Sequence, residues 1–239
     1  MSLSGRSEGL SFHDDLPIPI IVQPLRSARR MRLRLDESRG ILKLTCPKRM
    51  SRHKALAWAA GQRDWVEQQL ARMAPAEPLS PGSHIPIEGR EVELVWSQTE
   101  GRTPRLINGQ LRCGGLESAF PRRIETWLKR LALDTLSRDT AEIAEAAGVA
   151  PASVSIGDAG TRWGSCSAQR RIRYSWRLIL APPEARRFVV AHEVAHLVHL
   201  NHGREFKALE TKLFGGDVAA ARASLRRAGP RLKRIGRGS

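Results

Sequence analysis

The chain has 239 residues, 27% of them charged, and Lys and Arg outnumber Asp and Glu by 40 to 24, for a formal net charge of +16. That length holds one large domain or two small ones, and the positive balance points to phosphate-bearing or acidic partners, or simply to a solvated surface. Three widely spaced cysteines without a CxxC pair (Cys46, Cys113 and Cys166) argue against a disulfide framework. With no signal-like apolar segment and no apolar run of about eighteen residues, a cytoplasmic protein with no membrane span is expected.

Residues 1–15 read as a flexible polar leader, and 16–115 as a β-rich N-terminal portion containing one helix. "PIPIIVQP" and "RRMRLRLDESRGILKLTCP" are short strands, the second a hairpin turning at Ser38-Arg39-Gly40. Residues 51–73 space Leu56, Trp58, Ala59, Trp65, Val66 and Leu70 as one helix face, with Ser51 as N-cap. The proline-rich segment 74–83 ends that helix without having to be an interdomain linker. "HIPIEGREVELVWSQ" and "RLINGQLRC" are further strands, with Glu-Gly and Asn-Gly marking the hairpin turns.

Residues 116–232 form the second portion. A long amphipathic helix is expected over 121–147, stopped at Gly148, then strands near 153–157 and 172–180. The next helix starts after Pro182 and Pro183 and runs to about Leu200; another follows Gly203, over roughly 205–214, beneath the site. From 218 to 239 there is no acidic residue and seven basic ones, so this end reads as solvated, with 233–239 a flexible basic tail. The fold class is α+β.

Four of the seven histidines lie between residues 192 and 202. In "HEVAH", His192 and His196 are four apart and share one helix face, so two imidazoles can meet one metal ion. Glu193 lies about 100° around the helix, where it can reach a water on the metal without ligating the metal itself. Zinc lowers the pKa of such a water to roughly 7, which gives Glu193 the role of general base. Apolar neighbours from Phe188 to Val198 bury this helix, and unpartnered polar groups there are costly. Hydrogen-bonded core histidines are the plain alternative.

A catalytic zinc takes three protein ligands and keeps one position open. His202, ten residues after His192, is preferred as the third, with a chain turn made by Asn201 in left-handed conformation and Gly203. His199 is the other candidate, but three ligands along one straight helix make a poor tetrahedron; it could instead bind substrate, orient a neighbour, or be a surface residue.

"TRWGSCS", "IRYSWRLILAP", "VVAHEVAHLVHLNH" and "REF", in that order and spacing, resemble the YgjP-like family of zinc metallopeptidases, within the zincin group and related to SprT-like proteins. The resemblance is densest over 150–206. It implies a zincin-like unit with Zn2+ on His192, His196 and His202, Glu193 as catalytic base, and the strand from Ile172 as the sheet edge beside the active-site helix. The family pattern carries an aromatic pair where this chain has Phe206 followed by Lys207.

Arg162, Trp163, Gly164, Ser165, Arg177 and His199 are candidate substrate-binding residues: Gly164 permits close backbone approach and Arg162 suits an oxyanion or phosphate. The tryptophans are equally well explained by packing, and Cys166 reads as a small packed residue rather than a nucleophile. The leading expectation is a zinc-dependent hydrolase of peptide or protein substrates. The resemblance also brings a nucleotide alternative, since some YgjP-like proteins are described as UTP pyrophosphatases. Arg162, Arg171, Arg173 and Arg177 would then face a nucleoside triphosphate that carries Mg2+. A third expectation is non-specific nucleic-acid contact through the basic tail.

Overall fold

The computed structural model describes residues 10–11, 13–36, 39–71, 75–158 and 162–237. Most of the expected leader, Ser38 of the first hairpin turn, and Met73 and Ala74 lie outside them. The chain divides into two compact units, Met1–Ala74 and Pro75–Ser239. The expected division after residue 115 is displaced because the strands of 84–113 share one apolar core with the C-terminal helices.

In the first unit, β1 (Leu10–Ser11), β2 (Ile20–Leu25), β3 (Arg32–Asp36) and β4 (Ile41–Pro47) form a sheet ordered β1-β2-β4-β3. β2 runs parallel to β4, whereas β1 and β3 pair antiparallel with their neighbours. Ile20, Leu42, Leu44 and Cys46 pack against Ala55, Ala59 and Val66 of the helices that follow. The single helix expected over 51–73 is two, α1 (Arg52–Ala60) and α2 (Arg63–Ala71), parted at Gly61 and Gln62. Glycine is a poor helix former, and neither piece has the long apolar stripe that would carry one helix across it. Ser51 caps α1, its side chain accepting from the Lys54 backbone N–H.

The second unit opens with a sheet of identical order and sense: β5 (His84–Ile87), β6 (Arg90–Trp96), β7 (Arg105–Ile107) and β8 (Gln110–Cys113), arranged β5-β6-β8-β7 with β6 parallel to β8. Both hairpins turn on two residues with positive φ, Glu88 and Gly89 at 50° and 76°, and Asn108 and Gly109 at 48° and 78°. These are the type I′ turns that Glu-Gly and Asn-Gly indicated. The helix α3 (Phe120–Ala146) follows, its buried stripe of Ile124, Leu128, Ala132, Leu136 and Ile143 set by the 3.6-residue period.

A three-stranded sheet, β10-β11-β9, then brings the chain to the candidate site. β9 (Ser153–Gly157) is parallel to β11 (Arg171–Ser175), and β10 (Gly164–Cys166) is antiparallel to β11. β11 is therefore central, and the edge strand touching the HEVAH helix is β10, not the strand from Ile172. That strand also stops sooner than expected. Trp176–Leu180 is a 3₁₀ turn, wholly buried, and a segment buried all round gives no alternation with which to tell strand from helix.

The helix α4 (Pro183–Ala195) carries HEVAH, and α5 (Arg204–Phe214) and α6 (Val218–Leu232) pack on it. α6 corrects the expectation of a solvated basic end. Asp217 caps it, and Ala221, Leu225, Gly229 and Leu232 are buried. Ile235 beyond it is fully buried and pairs as a β-bridge with Glu77. Among the described residues no helix is long and apolar enough to cross a membrane.

Candidate metal centre

α4 ends sooner than the expected Leu200. The backbone N–H groups of Leu197 and Val198 bond to Val194 and Ala195, three residues back, and the chain leaves the helix through this tightened turn. Neither Asn201 nor Gly203 supplies the left-handed backbone expected there: Gly203 has φ −69° and Asn201 is not among the positive-φ residues. The loop returns His202 to the face that carries His192 and His196. Their ligand atoms all lie within 4.8 Å of one another, with Nε2 of His202 at 3.1 Å from Nε2 of His196 and 3.3 Å from Nε2 of His192.

Three contacts fix the rings. Nδ1 of His192 lies 2.7 Å from Oε1 of Glu210, a carboxylate only 2% exposed, whose other oxygen accepts from Arg222 at 2.8 Å. Nδ1 of His196 lies 3.1 Å from the carbonyl of His199. Phe206 packs beneath all three imidazoles, with ring centroids 5.0, 4.5 and 4.7 Å from those of His192, His196 and His202. Lys207, where the family pattern has a second aromatic residue, is exposed. The ring of His199 is outside the cluster, 3.8 Å from Glu205; it is the His199 carbonyl that serves the site.

These contacts test whether a metal fits. A carboxylate and a carbonyl opposite Nδ1 require the proton on that nitrogen, so Nε2 of His192 and of His196 each present a lone pair to the same point. Lone pairs that converge repel unless a cation lies between them. Burial and the neighbouring imidazoles hold His196 below the ordinary histidine range, which disfavours a proton as that cation. Nitrogens at zinc-ligand distance in a tetrahedron stand about 3.3 Å apart, close to the spacing found. The donor set fits a divalent metal that accepts nitrogen ligands.

Glu193 is 4% exposed, and its Oε2 is buried with no hydrogen-bond partner. Burial pushes its carboxyl up to about 7, against the pull of the Arg162 guanidinium. β10 passes against it so closely that a Cβ on Gly164 would stand 2.5 Å from Oε1. Only glycine fits there. Cys166 is half-buried, and burial followed by the charge of Glu193 pushes its thiol up, away from a reactive thiolate.

The other predicted substrate residues divide. Arg162, Trp163, Gly164 and Ser165 line one pocket together with Arg173. Arg177 does not join them. Its guanidinium, 2% exposed, donates to Asp158 at 2.8 Å, to the Leu232 carbonyl at 3.1 Å and to the Ile235 carbonyl, so it braces the end of α6 and is not free to clamp a phosphate.

The sequence model of the YgjP-like family, metallopeptidase domain, matches residues 29–228. The chain belongs to the YgjP-like family. No curated protein and no solved structure matches it. Membership makes this YgjP-like chain a metal-dependent hydrolase of the metallopeptidase kind, with the His192, His196 and His202 cluster as its possible metal site. Glu210 was missed in the sequence. The available signal was Phe206 and Glu210 four residues apart on α5, an acid on a buried helix stripe, which demands a partner.

Proposed function

We propose that the protein is a zinc peptidase that cleaves a peptide laid along β10. The observation that carries this reading is the pair of imidazoles whose Nδ1 atoms are already engaged, meeting a third imidazole beside a buried carboxylate oxygen that has no partner. His192, His196 and His202 would hold zinc, which when bound polarises a carbonyl and acidifies water. Glu210 and the His199 carbonyl keep two of the rings turned toward the ion, the usual task of such outer partners.

Glu193 takes the proton of the attacking water at its carboxylate and passes it to the leaving amine nitrogen. A carboxyl poised near neutrality can do both, and the open side of Gly164 leaves Oε1 no side chain to compete with. β10 is an edge strand, so its outer backbone groups are available to an extended peptide as an added strand. The nucleotide alternative is weaker, because Arg177, one of its four clamping arginines, is occupied by Asp158 and two carbonyls.

The test is Glu193→Gln in zinc-loaded protein, assayed against unfolded polypeptides and against nucleoside triphosphates. The expected result is retained zinc with peptide turnover lowered by about 10²-fold or more. Undiminished turnover in the variant removes Glu193 as the base. Pyrophosphate release that the variant loses, without peptide cleavage, replaces the peptidase reading by the nucleotide one.

A further inference from the structure

The basic residues of the second unit are of two kinds. On and beyond α6, where the sequence concentrates them, several are engaged: Arg222 with Glu210, Arg231 with Glu77 and Glu91, and Arg237 with Asp158. A second basic cluster, which sequence inspection did not single out, has none of this compensation. Arg102 from the loop before β7 and Arg122 and Arg130 from the first turns of α3 line one groove of about 470 Å³. All three are exposed, and none has an ion-pair partner among the described residues. Two nearby acids are engaged by other cations, Glu100 by Arg112 and Glu125 by Lys129.

Like charges gathered from two elements repel one another, and here no ion pair among the described residues offsets them. Trp127 supplies the second half of the argument. It lies between Arg122 and Arg130 on α3, packs its inner edge on the core, and lines the same groove half-exposed. Arg123 also lines the groove but is engaged, donating to the carbonyls of Gly114 and Leu116 at 3.0 and 2.9 Å, and so fixes the groove wall. A half-exposed indole and unpaired guanidiniums lining one groove match a ligand that alternates flat bases with phosphates.

We propose that this groove binds single-stranded nucleic acid, with Arg102, Arg122 and Arg130 on phosphates and a base stacked on Trp127. The site is separate from the metal centre and does not depend on the peptidase reading. It also moves nucleic-acid contact from the basic C-terminal segment, where that contact was expected, to the start of α3. A duplex would satisfy the arginines but keep its bases stacked on one another, leaving Trp127 without a role.

The experiment is fluorescence anisotropy of a labelled twelve-nucleotide single strand with the full chain, over a range of salt. Arg122→Glu with Arg130→Glu should weaken binding at least about tenfold and flatten the salt dependence by about 0.7 per lost phosphate contact. Trp127→Leu should weaken it roughly 5- to 150-fold with the salt slope kept, and Trp127→Phe should recover most of the loss. Arg226→Glu with Arg227→Glu on α6 should change little. Circular dichroism of each variant confirms that it is folded; the arginine pair is exposed and does not depend on the tryptophan variant folding. The proposal is overturned by absent binding at low salt, by groove variants that bind as the parent does, or by equal losses from the α6 pair, which would mean diffuse charge. It is also overturned if duplex, or a phosphorylated peptide, competes as well as the single strand.

Discussion

Glu193 is the base of the proposed reaction, and its protonation is measurable without turnover. Its folded carboxyl titrates at about 7 against an ordinary value of 4.5, because burial disfavours the charge. Between those values the folded protein holds a proton that the unfolded chain has released, so stability is full below 4.5 and falls as pH rises toward 7. For the metal-free protein the loss is about 3 kcal/mol. Urea denaturation of metal-free protein at pH 4.5 and 7.5 should therefore differ from the same pair for Glu193→Gln by that order. A bound cation favours the carboxylate and should shrink the difference. An unchanged profile in the variant would place the raised carboxyl elsewhere. Gly164 is the counterpart on β10: Gly164→Ala drives a methyl into the Glu193 side chain, so the carboxylate or the strand must shift. The expected outcome is activity lost more than tenfold with zinc retained, read by single-turnover assay and metal analysis.

At the scale of elements, the histidine pattern was legible because helix geometry is local: four residues make one turn, and the sequence shows which side chains share a face. The third histidine of the cluster was legible by its interval, but not the turn that delivers it, which tightens through backbone bonds to Val194 and Ala195 where left-handed residues were expected. Glu210 was hidden for a different reason. Its partner His192 lies eighteen residues away, a pairing made by the packing of α5 on α4. Glu210→Ala should cost about 10- to 100-fold in metal affinity, measured by competition with a chelator, because the His192 ring loses its orienting acceptor. An unaltered affinity would assign Glu210 to the Arg222 ion pair alone. α6 was misread because a run of basic residues conceals its apolar stripe, and because Arg177, which ties it down, is donated by another element. Burial pushes Asp158 up, yet the guanidiniums of Arg177 and Arg237 override it and hold the carboxyl below its ordinary range. Arg177→Met leaves two carbonyls uncapped and that acid short of a buried partner, a loss of about 3–5 kcal/mol in chemical denaturation.

At the scale of the whole molecule, the two units have matching four-stranded sheets but unequal means of support. The pattern of two hairpins joined by a central parallel pair occurs in both, although the sequence carries no recognisable repeat, because strand pairing constrains alternation and turn residues and leaves most identities free. The first unit rests on a small cluster around Leu42, Leu44 and Val66. Cores of this size supply only about 3–5 kcal/mol. The second unit joins its sheets and helices α3 to α6 in one cluster that includes the apolar face of the HEVAH helix, and it contains all three histidines, Glu193 and Glu210. A fragment of residues 75–239 should therefore fold alone and bind zinc. Free zinc at a hundred times the dissociation constant should raise its unfolding free energy by about 2.7 kcal/mol, and His202→Ala should abolish most of that gain. In the full chain the same reasoning predicts two unfolding transitions in urea, the weaker insensitive to zinc and the stronger coinciding with that of the fragment. A single transition shifted as a whole by zinc would mean that the metal stabilises both units together, and the fragment would then unfold earlier than the intact protein.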